Sequence, residues 1–120
     1  MSEKCSCGGI GSLVVACSGG ADVGELADKL ARQIARTGKA KPFCLAGFGG
    51  HISGMIESAK CADRIIAIDG CPVACAKKTI DHLSIELHVE YINLKDYGFQ
   101  KGEVILNDID IEQLIKEIGI

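Results

Sequence analysis

The sequence predicts an α/β protein with a three-layer, open, mostly parallel sheet of four to five strands flanked by helices, in the Rossmann-like manner. Two observations point there. Short apolar runs rich in β-branched residues alternate with segments of helical period, and turn signals separate them every ten to fifteen residues or so. Strands that alternate with helices pair in parallel through right-handed crossovers, which fixes the layered arrangement.

Residues 12–17 (S-L-V-V-A-C), bounded by Gly11 and by Ser18, Gly19 and Gly20, read as a buried strand. The period then changes. Val23, Leu26, Ala27, Leu30 and Ile34 follow helical spacing, Asp22 with Glu25 resembles a capping box, and Gly38 supplies the stop. Residues 43–46 form the second predicted strand, followed by the glycine loop 47–50 and by a helix whose face carries Ile52, Met55, Ile56 and Ala59. Residues 64–69 (R-I-I-A-I-D) are the third strand. After the turn at Gly70, Cys71 takes the cap position and Pro72 the first position of a helix facing inward through Ala76, Ile80 and Leu83. Leu87, Val89 and Tyr91 alternate with His88 and Glu90, as expected of a half-exposed edge strand. Residues 103–106 read as a fifth short strand or as the approach to a terminal helix with Ile111, Leu114, Ile115 and Ile118 on its inner face.

The chain of 120 residues is expected to form one α/β domain over residues 10–120, preceded by a polar, flexible, Cys-bearing leader at residues 1–9. Thirteen Lys and Arg against sixteen Asp and Glu leave a net charge of −3, and only 4% of residues are aromatic. Such a chain offers neither a basic stripe for phosphates nor stacking platforms for bases, so no nucleic acid partner is expected. The longest uninterrupted apolar run, residues 13–17, falls far short of the roughly 20 residues that span a bilayer. No membrane partner is expected, and without a signal-peptide core the expected location is cytoplasmic.

Seven cysteines stand at positions 5, 7, 17, 44, 61, 71 and 75. The number is odd and nothing marks the chain as secreted, so metal binding or thiol chemistry is favoured over a disulfide framework. Cys17 closes the first predicted strand, Cys44 lies within the second and Cys71 follows the third. In an open parallel sheet ligands collect outside the carboxyl ends of the strands. Sequence-distant thiols can meet there, although Cys44 would lie several Å below that edge unless its strand ends early. Cys71 and Cys75 straddle a helix start, where the dipole and Lys77 and Lys78 would favour thiolate.

The runs C-S-G-G, C-L-A-G-F-G-G-H and I-D-G-C-P-V-A-C-A-K resemble the DGC domain family, named for the tripeptide that is Asp69-Gly70-Cys71 here. The resemblance extends from Ile10 to the carboxyl terminus. It implies a zinc-binding protein in which Cys17, Cys44, Cys71 and Cys75 are the metal ligands, with Zn²⁺ as cofactor and with no assigned biochemical role. It assigns nothing to Cys5, Cys7 or Cys61.

Other readings stand beside these. Four thiolates would close a zinc ion, whereas three thiolates and a water would leave an open, Lewis-acidic position. Whether the chain is an enzyme is left open. From a different class comes thiol redox or sulfur and selenium carriage, with Cys71 or Cys17 as nucleophile and Cys75 as resolving thiol. Cys61 reads best as core, and Cys5 with Cys7 as a second soft-metal site or an idle leader pair. The glycine loop 47–50 could present amides to an anion, or be no more than a tight turn. His51 is a candidate proton carrier or replacement ligand, His82 and His88 read as surface residues, Ser18 as a thiolate partner or a cap, and Asp69 as a turn-bonding group or a partner of a thiol proton.

Overall fold

The computed structural model describes residues 10–120, so the leader with Cys5 and Cys7 lies outside the described residues. Four strands form one sheet: β1 (Ser12–Ala16), β2 (Lys41–Pro42), β3 (Arg64–Asp69) and β4 (Val89–Asn93). Their order is β2-β1-β3-β4 and every pairing is parallel. Helices α1 (Asp22–Arg36), α2 (Leu45–Gly49), α3 (Ser53–Lys60), α4 (Cys75–Asp81) and α5 (Ile111–Ile118) flank it, with 3-10 turns at Leu94–Tyr97 and Leu106–Asp108. This is the open, parallel α/β arrangement expected, with four strands and not five.

The period-2 alternation of β1 and β3 builds two cores, one on each face. Val14, Ala16, Ile66 and Ile68 pack with Leu26, Ala27, Leu30 and Ile34 of α1 and with Leu114 and Ile115 of α5. Leu13, Val15, Ile65 and Ala67 point the other way, toward Phe48, Ala59, Ala76 and Ile80. Covered on both faces, these two central strands read as near-continuous apolar runs, as buried parallel strands do. β4 lies at the sheet edge, as its half-polar alternation predicts.

Four elements differ from the sequence expectation. The second strand ends at Pro42, because Lys41 and Pro42 pair with Leu13 and Val14 at an edge where a missing N–H costs little. Residues 45–49, placed partly in that strand and partly in a loop, instead form α2 and bury Phe48. α4 begins at Cys75 and not at Pro72: residues 71–74 form a turn closed by the Ala74 N–H to the Cys71 carbonyl at 3.0 Å, and Ala74 is left-handed with φ +56°. No strand forms at residues 103–106, where the Gly102 and Val104 amides donate at 2.9 Å to the Asp22 carboxylate. Asp22 is therefore not a capping-box residue. Ala21 precedes the helix, and Asp22 fastens the loop at 102–104 to the start of α1. Among the described residues no helix is long and apolar enough to cross a membrane.

Candidate functional site

With strand order β2-β1-β3-β4, the chain leaves β1 toward one side and returns across it to β3, so the topological switch lies between β1 and β3 at their carboxyl ends. Cys17 stands there. Its amide donates to the Ile68 carbonyl at 3.0 Å, which carries the β1–β3 ladder one residue past β1. On the other flank the Phe43 amide donates to the Val14 carbonyl at 2.9 Å, and the next residue, Cys44, caps α2. The early end of β2 thus removes the geometric objection to Cys44: it sits at the carboxyl edge, exposed. Cys71 follows β3 after Gly70 and is half-buried, and Cys75 opens α4 and is exposed. All four are free thiols, whereas Cys61, at the carboxyl cap of α3, is not among them.

Cys17 and Cys44 line one cavity of about 550 Å³. Its walls include Phe43 and Leu45 beside Cys44, Asp28 and Arg32 from α1, and Thr79 from α4. Cys71 and Cys75 are not in its lining, although Thr79 holds the Cys75 turn through a 2.7 Å bond from its hydroxyl to the Cys75 carbonyl. Ser18, expected as a thiolate partner or a cap, instead donates to Asp28 Oδ1 at 3.0 Å, while Arg32 Nε donates to Oδ2 at 2.7 Å. Burial raises the Asp28 carboxyl's pKa, but the bonds from Arg32 and Ser18 outweigh it and hold the group below its usual value. One wall of the cavity therefore carries an internally neutralised ion pair.

Asp69 resolves the D-G-C tripeptide into separate tasks. Its buried carboxylate accepts the Ala76 amide at 2.7 Å and the Lys77 amide at 3.0 Å, so it caps α4 from the end of β3. Turn bonding, not a thiol proton, is its role. Gly70 is required by close approach, since a Cβ there would collide with the backbone carbonyl of Val23. Cys71 is then displayed on a turn that Asn93 pins from β4, its side-chain amide donating to the Cys71 carbonyl at 2.9 Å. Two of the groups expected near Cys71 and Cys75 have partners of their own. The Ala76 and Lys77 amides in the first turn of α4 are taken by Asp69, and the Lys77 ammonium pairs with Asp81 at 3.0 Å over the Tyr91 ring.

The glycine loop is likewise committed. The Gly47, Gly50, His51 and Ile52 amides donate to the carbonyls of Cys44, Ala46, Phe48 and Gly47, which leaves the α2 turn closed on itself rather than open to an anion. Sequence reading missed Thr79, Arg32 and Asn93. The i,i+4 spacing of Asp28 and Arg32 was a usable signal for that pair, whereas Thr79 and Asn93 reach the edge only through the strand order and the α2–α4 packing.

Zinc is the metal implied by the resemblance. The donor chemistry fits, with four free thiols delivered to one edge of the sheet. Their spacing does not amount to a coordination shell: among the described residues no three Cys, His, Asp or Glu side chains are grouped to hold a metal ion.

Comparison with known proteins places the architecture in a family. The DGC domain model matches residues 13–118. A relative in Pseudomonas aeruginosa, the anaerobic and virulence modulator AnvM, is 34% identical over 89 residues, which is 74% of this chain and 67% of that protein. No solved structure matches. With the tripeptide at the tip of β3 and the family match covering nearly all described residues, the chain belongs to the DGC domain family.

Proposed function

We propose that this DGC domain is a zinc-binding protein whose ligands come from Cys17, Cys44, Cys71 and Cys75. The observation that carries the reading is the strand order: β1, which leads to Cys17, has as its two neighbours β2, which leads to Cys44, and β3, which leads to Cys71. Adjacent strands lie about 4.8 Å apart, so the three thiols that follow three neighbouring strand ends are delivered to one stretch of the sheet's carboxyl edge. When bound, zinc closed by thiolates would supply structure or a means of metal handling. The relative is named an anaerobic and virulence modulator, which suits a modulatory role for this chain.

Metal analysis of untagged protein purified under reducing conditions is the test. About one zinc per chain is expected, with loss in Cys17→Ser and Cys71→Ser and retention when His88 is replaced. A metal-free protein whose stability is indifferent to zinc and to chelator overturns the reading.

The shared cavity favours a second reading, thiol redox, with Cys17, one of the two candidate nucleophiles, and with Cys44 in place of Cys75 as its partner. One thiolate attacks a low-molecular-weight disulfide and releases that molecule's first thiol, and the other protein thiolate then displaces the second. The protein loses two electrons and two protons, and the small disulfide gains them. Formation of an intramolecular Cys17–Cys44 bond, read by mass spectrometry after exposure to such a disulfide, supports this alternative; mixed disulfides that never resolve exclude it.

A further inference from the structure

We propose that His51 and His82 form a two-imidazole chelate for a borderline divalent cation of the Zn²⁺, Ni²⁺ or Cu²⁺ class, separate from the four thiols and independent of their role. His51 stands between α2 and α3, and His82 caps the carboxyl end of α4. Their Nε2 atoms lie 3.3 Å apart, with ring centroids at 5.2 Å and planes at 78°.

Two arrangements account for close imidazole nitrogens, and they differ in where the rings lie. In a linear N–H···N bond of this length both ring axes share one line, which puts the centroids about 5.6 Å apart. Around a tetrahedral ion with Zn–N distances of about 2.0–2.1 Å, the nitrogens are about 3.3 Å apart and the centroids about 5.2 Å. Both observed separations match the second arrangement, and a bent N–H···N bond gives them as well, so the pair already bonded through its Nε2 atoms has the spacing a shared cation needs. Imidazole is a fitting ligand for zinc, nickel and copper(II), and the exposed setting leaves the remaining coordination positions to water.

The rings are carried on ordered backbone. His51 has φ +55°, a left-handed conformation that is costly for a non-glycine residue and needs surrounding structure to persist. Bonds from the Gly50, His51 and Ile52 amides to Ala46, Phe48 and Gly47 hold it, over a Phe48 that is fully buried. The His82 amide bonds to the Lys78 carbonyl at 3.0 Å. An ion here would clip the turn after α2 to the end of α4, joining the element that Cys44 caps to the one that begins at Cys75.

The test uses the untagged chain with ¹⁵N-labelled histidine, titrated with Zn²⁺ beyond the capacity of the thiols while the ring nitrogens are followed by NMR. The Nε2 resonances of His51 and His82 should move together along one binding curve, with His88 unmoved. In His82→Gln the His51 response should need about a hundredfold more zinc, because one ligand of the chelate is gone. His51→Asn, which tolerates the left-handed backbone, should abolish the His82 response equally. Ring nitrogens unmoved at about 1 mM zinc, or a His51 response unchanged in His82→Gln, overturn the proposal. Because the readout is at the imidazoles, a failure of the thiols to bind zinc would leave it intact.

Discussion

Asp69 is the one buried acidic side chain among the described residues, and both of its oxygens are used by the Ala76 and Lys77 amides of α4. Bonds from amides to a buried carboxylate are charge-assisted, and a lost cap typically costs about 1–2 kcal/mol. Asp69→Ala should therefore lower stability by about 2–3 kcal/mol, and Asp69→Asn, which keeps one acceptor oxygen, by about half of that. Urea unfolding checks this: the midpoint should fall in that order with the slope unchanged, and an Asp69→Ala protein as stable as the parent contradicts the capping role. At this scale the sequence was informative about which residues matter and less so about why. Asp69-Gly70-Cys71 is visible as a motif, and turn bonding by Asp69 is a reading its residue type allows. The demand for glycine at position 70 comes from Val23 on another element, a contact no local pattern encodes.

Elements whose signal is periodic were legible, and those defined by contacts were not. β3 is read at its observed bounds, and α1 and α5 are recovered because apolar side chains recur with the helical period against a buried sheet face. β2 escapes because it is two exposed residues, one of them proline, held only by pairing with β1. The neighbouring run Phe43, Cys44, Leu45, Ala46 is short and apolar, and such a run suits a strand and the start of a buried helix equally well. Asp22 shows the same limit, since its partners lie in the loop at 102–104. Those bonds, the one from the Gly102 amide foremost, hold its pKa below the ordinary 3.8. A carboxyl whose pKa is depressed on folding stabilises the structure above its unfolded value, and that contribution disappears as pH falls through the folded value. Amide exchange at Gly102 and Val104 should accordingly accelerate relative to the sheet as pH is taken below 3.8, and Asp22→Ala should show the same acceleration at neutral pH. Equal protection of these two amides in parent and variant would show that the carboxylate does not fasten the loop.

At the scale of the whole molecule, the layered fold follows from the alternation of strands and helices, but the order of the strands does not, and that order decides which thiols are neighbours. Had β2 and β3 lain on the same side of β1, Cys44 or Cys71 would stand a strand farther from Cys17. In the observed order the three strand ends nearest the switch point each lead to a cysteine, whereas in the unfolded chain the same residues are scattered over long loops. Closing those loops around an ion costs entropy that folding has already met, so zinc should bind the native state in preference to the unfolded one. Thermal stability should then rise with free zinc, approaching about 4 kcal/mol at a concentration a thousandfold above the dissociation constant. Cys17→Ser should diminish the rise most, because Cys17 is borne on the strand flanked by the other two. Calorimetry across a zinc series measures it directly. A melting temperature that falls with zinc would mean that the metal captures the thiols of the unfolded chain, and that the fold keeps them apart.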